Sequence, residues 1–294
     1  MAAAGSPPTP GPAGAAGTVA IGKDYEVNRL GFGAMRITGP GIWGPPTDHD
    51  EAIRVLRRAV ELGVDFIDTA DSYGPEVSER LIAEALAPYP DGLVIATKGG
   101  LLRSGPGRWH PDGRPEHLRA ALEGSLARLG VERVTLYQFH RPDPKVPFED
   151  SVGTLVELKG EGKIRHIGLS NVSEHHLRQA QQLTAIVSIQ NRYNPVDRGS
   201  DGIVDLCEQE QITFFPWAPV QDLDRNKAVR RIADAHDATP IQVALAWLLA
   251  RSPAIVPIPG PSSVAHLEAN VAAAGLRLTA DEVAEVANLG RRRR

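Results

Sequence analysis

The sequence predicts an α/β fold, a (β/α)8 TIM barrel with an N-terminal β-hairpin closing its bottom, on three observations. Eight short runs of apolar, β-branched or aromatic residues recur at 29–33, 64–68, 93–98, 134–139, 164–168, 186–190, 213–217 and 254–257. Stretches with helical apolar spacing separate them, so each run reads as a strand whose successor returns parallel after a crossover helix. The 294 residues leave room for eight such units, which a barrel builds in about 250 residues. A doubly wound sheet is the alternative arrangement of the same units.

Residues 1–17 are Ala, Gly or Pro at 14 positions, without a basic start or a continuous apolar segment. They read as a disordered tail and resemble neither a signal nor a transit peptide. Residues 18–21 and 25–27, around Gly22 and Lys23, read as the hairpin. The first crossover helix spans 48–62, with Ile53, Leu56 and Val60 on one face and Gly63 ending it. Leu118, Leu122, Leu126 and Leu129 repeat that pattern before Gly130. Trp247, among Ala244, Leu245, Leu248 and Leu249 on a later helix, reads as core. A single barrel is expected over 18–290, followed by a solvated basic tail of four arginines at 291–294.

Composition excludes several function classes. With 29 Gly and 24 Pro the chain is rich in turns, but 42% hydrophobic residues support a sizeable core and exclude wholesale disorder, collagen and coiled coil. A net charge of −4 argues against a nucleic-acid partner, which a basic excess would favour. Cys207 is the single cysteine, so neither an internal disulfide nor a cysteine-rich zinc site is available, which fits a reducing compartment. No stretch approaches the ~18 apolar residues of a membrane span. A cytoplasmic protein without membrane partners is expected, and nothing in the sequence bears on oligomeric state.

In a barrel of this kind the reacting groups come from the C-terminal strand ends and the loops after them. Asp68 ends the second strand, Tyr73 follows in the loop, Lys98 ends the third strand and His140 follows the fourth. Singly, each has a structural reading: Asp68 as a helix cap, Tyr73 as a loop anchor, Lys98 as a snorkelling strand end, His140 as a hydrogen-bonded residue before Pro142. Together they form a chemical unit. A free phenol has a pKa of about 10, and a nearby ammonium lowers it by favouring the phenolate. Lys98 supplies that charge, Asp68 fixes Lys98, and His140 donates to a substrate oxygen beside the phenol. Such a set suits a carbonyl that gains a hydride on carbon and a proton on oxygen.

Over residues 18–290 the chain resembles the aldo-keto reductase superfamily. The residues that carry the resemblance are Asp68-Thr69-Ala70 with Tyr73 following, Ala96-Thr97-Lys98, and Leu136-Tyr137-Gln138-Phe139-His140-Arg141-Pro142-Asp143. The resemblance implies Tyr73 as general acid, Asp68 and Lys98 as the groups that tune it, and His140 as the residue that orients the carbonyl. Within the superfamily, Gly39-Pro40-Gly41, Gly44-Pro45-Pro46 and the stretch 259–267 are similar to the bacterial branch of pyridoxal reductases.

The hydride requires a donor. Gly39-Pro40-Gly41-Ile42-Trp43-Gly44 fits a dinucleotide G-x-G-x-x-G pattern, but it runs into Pro45-Pro46 instead of opening a helix, so it reads as a turn-rich loop. The resemblance implies NADPH, with NADH possible, held at the barrel mouth. Its implied contacts are Gly33, Ala34 and Met35 after the first strand, Ser170, Asn171 and Gln190 on the nicotinamide carboxamide, Trp217 stacked on the ring, and Ala218 and Pro219 beyond it. Gly260, Ser262, Ser263, His266 and Asn270 are implied at the adenosine 2′-phosphate and adenine. No Lys or Arg lies between Ile258 and Asn270, and His266 stands where many relatives carry Arg. Asp222 places a carboxylate in the region expected near the pyrophosphate.

Candidate walls of a pocket for a small carbonyl substrate are Met35, Arg36, Trp43 and Trp109, the last in the long loop between Gly99 and Gly113. Two rival classes remain. Metal chemistry needs convergent ligands, but the nine histidines contain no H-x-x-x-H pair, so no metal is expected. A regulatory protein that binds the cofactor with negligible turnover is the other rival, and the four filled catalytic positions speak against it.

Overall fold

The computed structural model describes residues 11–221, 223 and 226–289. Its strands are β1 (Thr18–Ile21), β2 (Tyr25–Asn28), β3 (Phe32–Gly33), β4 (Phe66–Asp68), β5 (Val94–Gly99), β6 (Leu101–Gly105), β7 (Arg108–Pro111), β8 (Val134–Phe139), β9 (Ile164–Ser170), β10 (Ile186–Arg192) and β11 (Thr213–Trp217). Its helices are α1 (His49–Glu61), α2 (Val77–Leu86), α3 (Pro115–Leu129), α4 (Phe148–Gly160), α5 (Glu174–Leu183), α6 (Asp201–Gln209), α7 (Lys227–Ala235), α8 (Pro240–Arg251), α9 (Val264–Ala272) and α10 (Ala280–Ala287).

Seven strands pair in the order β11-β10-β9-β8-β5-β4-β3, all parallel. Helices alternate with them, as parallel crossovers require. The two edges meet across residues 254–259. Phe214 donates to the Ala254 carbonyl at 2.8 Å and accepts from Val256 at 2.9 Å, while Gly31 and Gly33 donate to the Pro257 and Pro259 carbonyls at 3.0 and 2.9 Å. The sheet therefore curls round on itself as an α/β barrel.

Local sequence sets the elements. The Asp48 carboxylate caps α1 by accepting from the Glu51 amide at 2.8 Å. Ala52, Val55, Leu56 and Ala59 on its inner face are buried. Gly130 takes the left-handed conformation that ends α3, at φ 67°. Inside the ring, Val94 and Ala96, two residues apart on β5, share a cluster with Phe66, Leu136, Phe215, Val256 and the hairpin residues Ile21 and Val27. The rings of Phe66 and Phe215 stack at 4.4 Å. A larger apolar layer, including Trp247, lies between strands and helices.

Several expected boundaries move. The eighth run, 254–257, is no strand; its one bridge pair among the described residues is Ile255 with Phe214. Pro253, Pro257, Pro259 and Pro261 lack the amide protons that a continuous ladder consumes. The first run shortens to β3 because Arg29 donates its amide to Gly17 and its guanidinium to the carbonyls of Leu249, Ser252 and Ile255. β9 and β10 run two residues further than expected. The stretch 99–113 is a hairpin, β6 with β7, and not a plain loop. Part of the tail expected to reach residue 17 is structured: Pro12–Ala16 forms a 3-10 turn, with Ala13 fully buried and its amide on the Leu62 carbonyl. Residues 1–10 and the arginines at 291–294 lie outside the described residues. Among those described, no helix is long and apolar enough to cross a membrane.

Candidate active site

Asp68 and Lys98 reach the same end of the barrel because β4 and β5 pair in parallel register, Asp68 opposite Ala96. The Lys98 ammonium has no solvent exposure and donates to Asp68 Oδ2 at 2.7 Å, the Thr69 carbonyl at 2.9 Å and Tyr73 Oη at 3.1 Å. Three acceptors for three protons make this buried charge tolerable.

The loop from 69 to 76 delivers Tyr73. Thr69 Oγ1 donates to Ser78 Oγ at 2.8 Å, and that hydroxyl donates to the Ala34 carbonyl at 3.1 Å. Gly74, at φ 103°, makes the turn; a Cβ there would lie 2.4 Å from that of Val77. His140 packs edge-on against Tyr73 with ring centroids 5.9 Å apart, and its Nδ1 lies 3.4 Å from Ser72 Oγ.

Electrostatics refine the expected roles. Burial pushes the Tyr73 phenol above its ordinary pKa, and this outweighs the lowering by Lys98. The expected net lowering is therefore reversed: removal from water disfavours the phenolate more than the ammonium favours it. For Lys98 burial works toward lower pKa, but Asp68 and Tyr73 together overcome it and hold the ammonium above its ordinary value. Burial, with Lys98 and Arg141 nearby, holds His140 well below the ordinary histidine range. The imidazole is neutral, so it offers one N–H donor and one acceptor.

A second cluster adjoins the first. Ser170 Oγ donates to the Gln190 carbonyl at 2.9 Å, and Asn171 Nδ2 donates to Ser170 Oγ and to the His140 carbonyl, each at 3.0 Å. Trp217 Nε1 donates to Asn171 Oδ1 at 3.1 Å. Hydroxyl, amides and a half-buried indole thus stand together at the ends of β9, β10 and β11, a donor set that fits a carboxamide on a flat ring. Gln190 commits its Nε2 to Asp68 Oδ1 at 2.8 Å, which ties this cluster to the first.

Gly33 and Gly260 are in close backbone contact: a Cβ on Gly260 would lie 2.7 Å from the Gly33 carbonyl. Arg36 stands in the 3-10 turn Ala34–Ile37 after β3. It packs beside Gly260 and, with Ile37, Thr47, Asp48 and Ser262, lines a cleft of about 410 Å³ to which none of Asp68, Tyr73, Lys98 and His140 contributes. Trp43 and Trp109 both come up against Arg103, whose guanidinium carbon lies 5.7 and 3.6 Å from their ring centroids. Ser263 caps α9 on the His266 amide; His266 is exposed and Asn270 buried. Ala34 is buried, Met35 exposed, Ala218 half-buried at φ 52° and Pro219 buried. Asp222 lies outside the described residues.

The profile described as the Aldo/keto reductase family matches residues 29–222 and 220–291. The chain belongs to the aldo/keto reductase family. It is an NAD(P)H-dependent oxidoreductase. It is 48% identical over 279 residues to an uncharacterized oxidoreductase of Schizosaccharomyces pombe, covering 94% of this chain and 90% of that one. To the pyridoxine 4-dehydrogenase of Escherichia coli it is 41% identical over 275 residues, covering 90% and 96%. Among solved structures, an aldo/keto reductase from Klebsiella pneumoniae in complex with NADP and acetate superposes with a TM-score of 0.76 at 25% identity, over 92% of this chain and 93% of that one.

Sequence reasoning missed two residues of the buried cluster, Gln138 and Thr69, and one that stands outside it, Arg103. Gln138 donates to Asp68 Oδ1 at 3.1 Å; it stands in a motif read for His140, and its own inward position follows from the alternation along β8. Thr69 contributes through its carbonyl, which carries no residue-type signal. Arg103 contributes through contacts scattered over three segments.

Proposed function

We propose that this protein reduces an aldehyde or ketone to the alcohol with NADPH, reversibly, with Tyr73 as the general acid. The observation that carries the reading is the buried chain from Asp68 through the Lys98 ammonium to the Tyr73 hydroxyl, with neutral His140 beside it. Nicotinamide supplies the hydride when bound. Ser170, Asn171 and Gln190 would hold its carboxamide, Trp217 its ring, and Gly33, Ala34 and Met35 the adjoining phosphate side. Gly260, Ser262, Ser263, His266 and Asn270 would line the adenosine end, and the cleft beside Arg36 opens onto this strip.

The Tyr73 phenol delivers its proton to the carbonyl oxygen, and Lys98 stabilises the phenolate left behind. Asp68, held in turn by Gln138 and Gln190, keeps the ammonium in place and balances its charge. His140 donates to the same oxygen and thereby fixes the carbonyl's direction. The likeness to a pyridoxine 4-dehydrogenase favours an aldehyde on a pyridine-type ring as the first substrate to try. The N-terminal hairpin serves as the floor of the barrel in this reading, and one barrel over 18–290 carries the whole reaction.

Tyr73→Phe tests the assignment. Turnover of NADPH with pyridoxal, an aromatic aldehyde, a quinone or a cyclic ketone should fall by about 10²- to 10⁴-fold. NADPH binding, followed by tryptophan fluorescence, should stay within about twofold of wild type. A variant that retains turnover would refute the role of Tyr73. Tight NADPH binding without turnover of any carbonyl would instead favour a regulatory protein.

A further inference from the structure

We infer that Arg103 is a positioning residue that sets Trp43 and Trp109 as walls of a slot for a flat aromatic carbonyl, a substrate class that rests on the reductase reading above. Arg103 stands on β6, and all five of its N–H bonds have backbone acceptors. Nη1 donates to the carbonyls of Ile42 at 2.6 Å and Ser72 at 3.0 Å. Nη2 donates to Gly41 at 2.9 Å and Gly105 at 3.3 Å, and Nε to Arg108 at 3.3 Å. One guanidinium therefore ties together the loop after β3, the loop that carries Tyr73 and the β6–β7 hairpin. Its plane lies over Trp109 at 3.6 Å and within 5.7 Å of Trp43.

These contacts have one geometric product. Trp109 stands edge-on to Tyr73, with ring centroids 6.4 Å apart, on a hairpin whose Gly107 amide bonds to the Gly41 carbonyl at 3.0 Å. Trp43 bridges to Gly74, next to Tyr73, and keeps 37% of its surface exposed. A flat ring that brings its carbonyl to Tyr73 would cover that apolar surface, which a short aliphatic aldehyde would leave wet. Lysine at 103 would keep the charge but lose the planar fork that meets five carbonyls and two indoles.

The test compares 4-nitrobenzaldehyde with propanal in wild type, Arg103→Met, Arg103→Lys and Trp109→Leu. In Arg103→Met the KM for 4-nitrobenzaldehyde should rise at least tenfold, with kcat within about twofold and the propanal KM within about twofold. Arg103→Lys should move the same way by a smaller factor, which keeps the test open should the methionine variant not fold. Arg103→Met combined with Trp109→Leu should cost less than the sum of the two single losses, since the arginine acts in part through that indole. Equal losses on both aldehydes, a loss confined to kcat, or additive losses would overturn the inference. If wild type reduces neither aldehyde, the reductase reading is decided by the wider carbonyl panel above. The slot is then read by equilibrium dialysis of 4-nitrobenzaldehyde with NADP present: about tenfold weaker binding to Arg103→Met supports it, and unchanged binding overturns it.

Discussion

Tyr73 sits between opposing influences, burial that keeps its proton and Lys98 that eases its release. A donor must be protonated to act, and its pKa lies above the ordinary value, so reduction should hold steady through neutral pH and fall only in strongly alkaline solution. His140 is held well below the histidine range, so it stays neutral across the same interval and adds no acidic limb. The expected kcat/KM profile for reduction is thus flat from about pH 6 to 9 and descends above it. Measured rates that bend near pH 6.5 and straighten in His140→Gln would contradict the neutral imidazole. Asp68, Lys98 and His140 were legible in the sequence as polar interruptions where apolar strands end, and Tyr73 by its place in the loop after Asp68. The direction of the Tyr73 shift was not, because it depends on how far the chain removes the phenol from water.

Between β4 and α2 the loop carries a second carboxyl. Asp71 is half-buried as a residue, but its Oδ1 is out of reach of water and without a partner. Burial foremost, and then Glu79, push its pKa up to about 8. Glu79 on α2 has no exposure and pairs with Arg128 on α3 at 2.6 Å, accepting also from Thr97 on β5 at 2.5 Å. In the unfolded chain Asp71 titrates near its ordinary value, so the folded state binds an extra proton between about pH 4 and 8, and stability falls as pH rises through that interval. Asp71→Asn cannot lose that proton. Its melting temperature relative to wild type should therefore climb from pH 5 to pH 8, each pKa unit being worth about 1.4 kcal/mol. A constant difference across that range would show that the carboxyl is not held neutral. The sequence displayed Asp71 plainly, yet nothing in its spacing distinguishes a carboxyl facing Glu79 from one facing solvent. Helices α1 and α3, by contrast, were readable to within a few residues, since Asp48, Gly63 and Gly130 mark their ends chemically.

Across the whole molecule, the alternation of strands and helices made the barrel readable, with the 94/96 and 66/215 positions filling its interior. Arg103 was hidden because its partners are carbonyls, which every residue possesses. The missing eighth strand was concealed by the opposite effect: apolar residues at 254–256 imitate a strand, while the prolines around them withhold its hydrogen bonds. The ring is consequently continuous in seven staves and fastened at the eighth by a handful of backbone contacts. Amides of Gly31, Gly33, Phe214 and Val256 should exchange with deuterium sooner than those in the middle of β8 and β9. Gly33 and Gly260 also lie on the strip proposed for NADPH, so the ligand would bridge this weak joint. Bound NADPH should slow exchange most at these amides and raise the temperature of unfolding with its concentration. A reductant that also fastens the barrel would make the enzyme's lifetime depend on supply: a cell short of NADPH would hold a looser protein, more open to proteolysis, before any change in its synthesis.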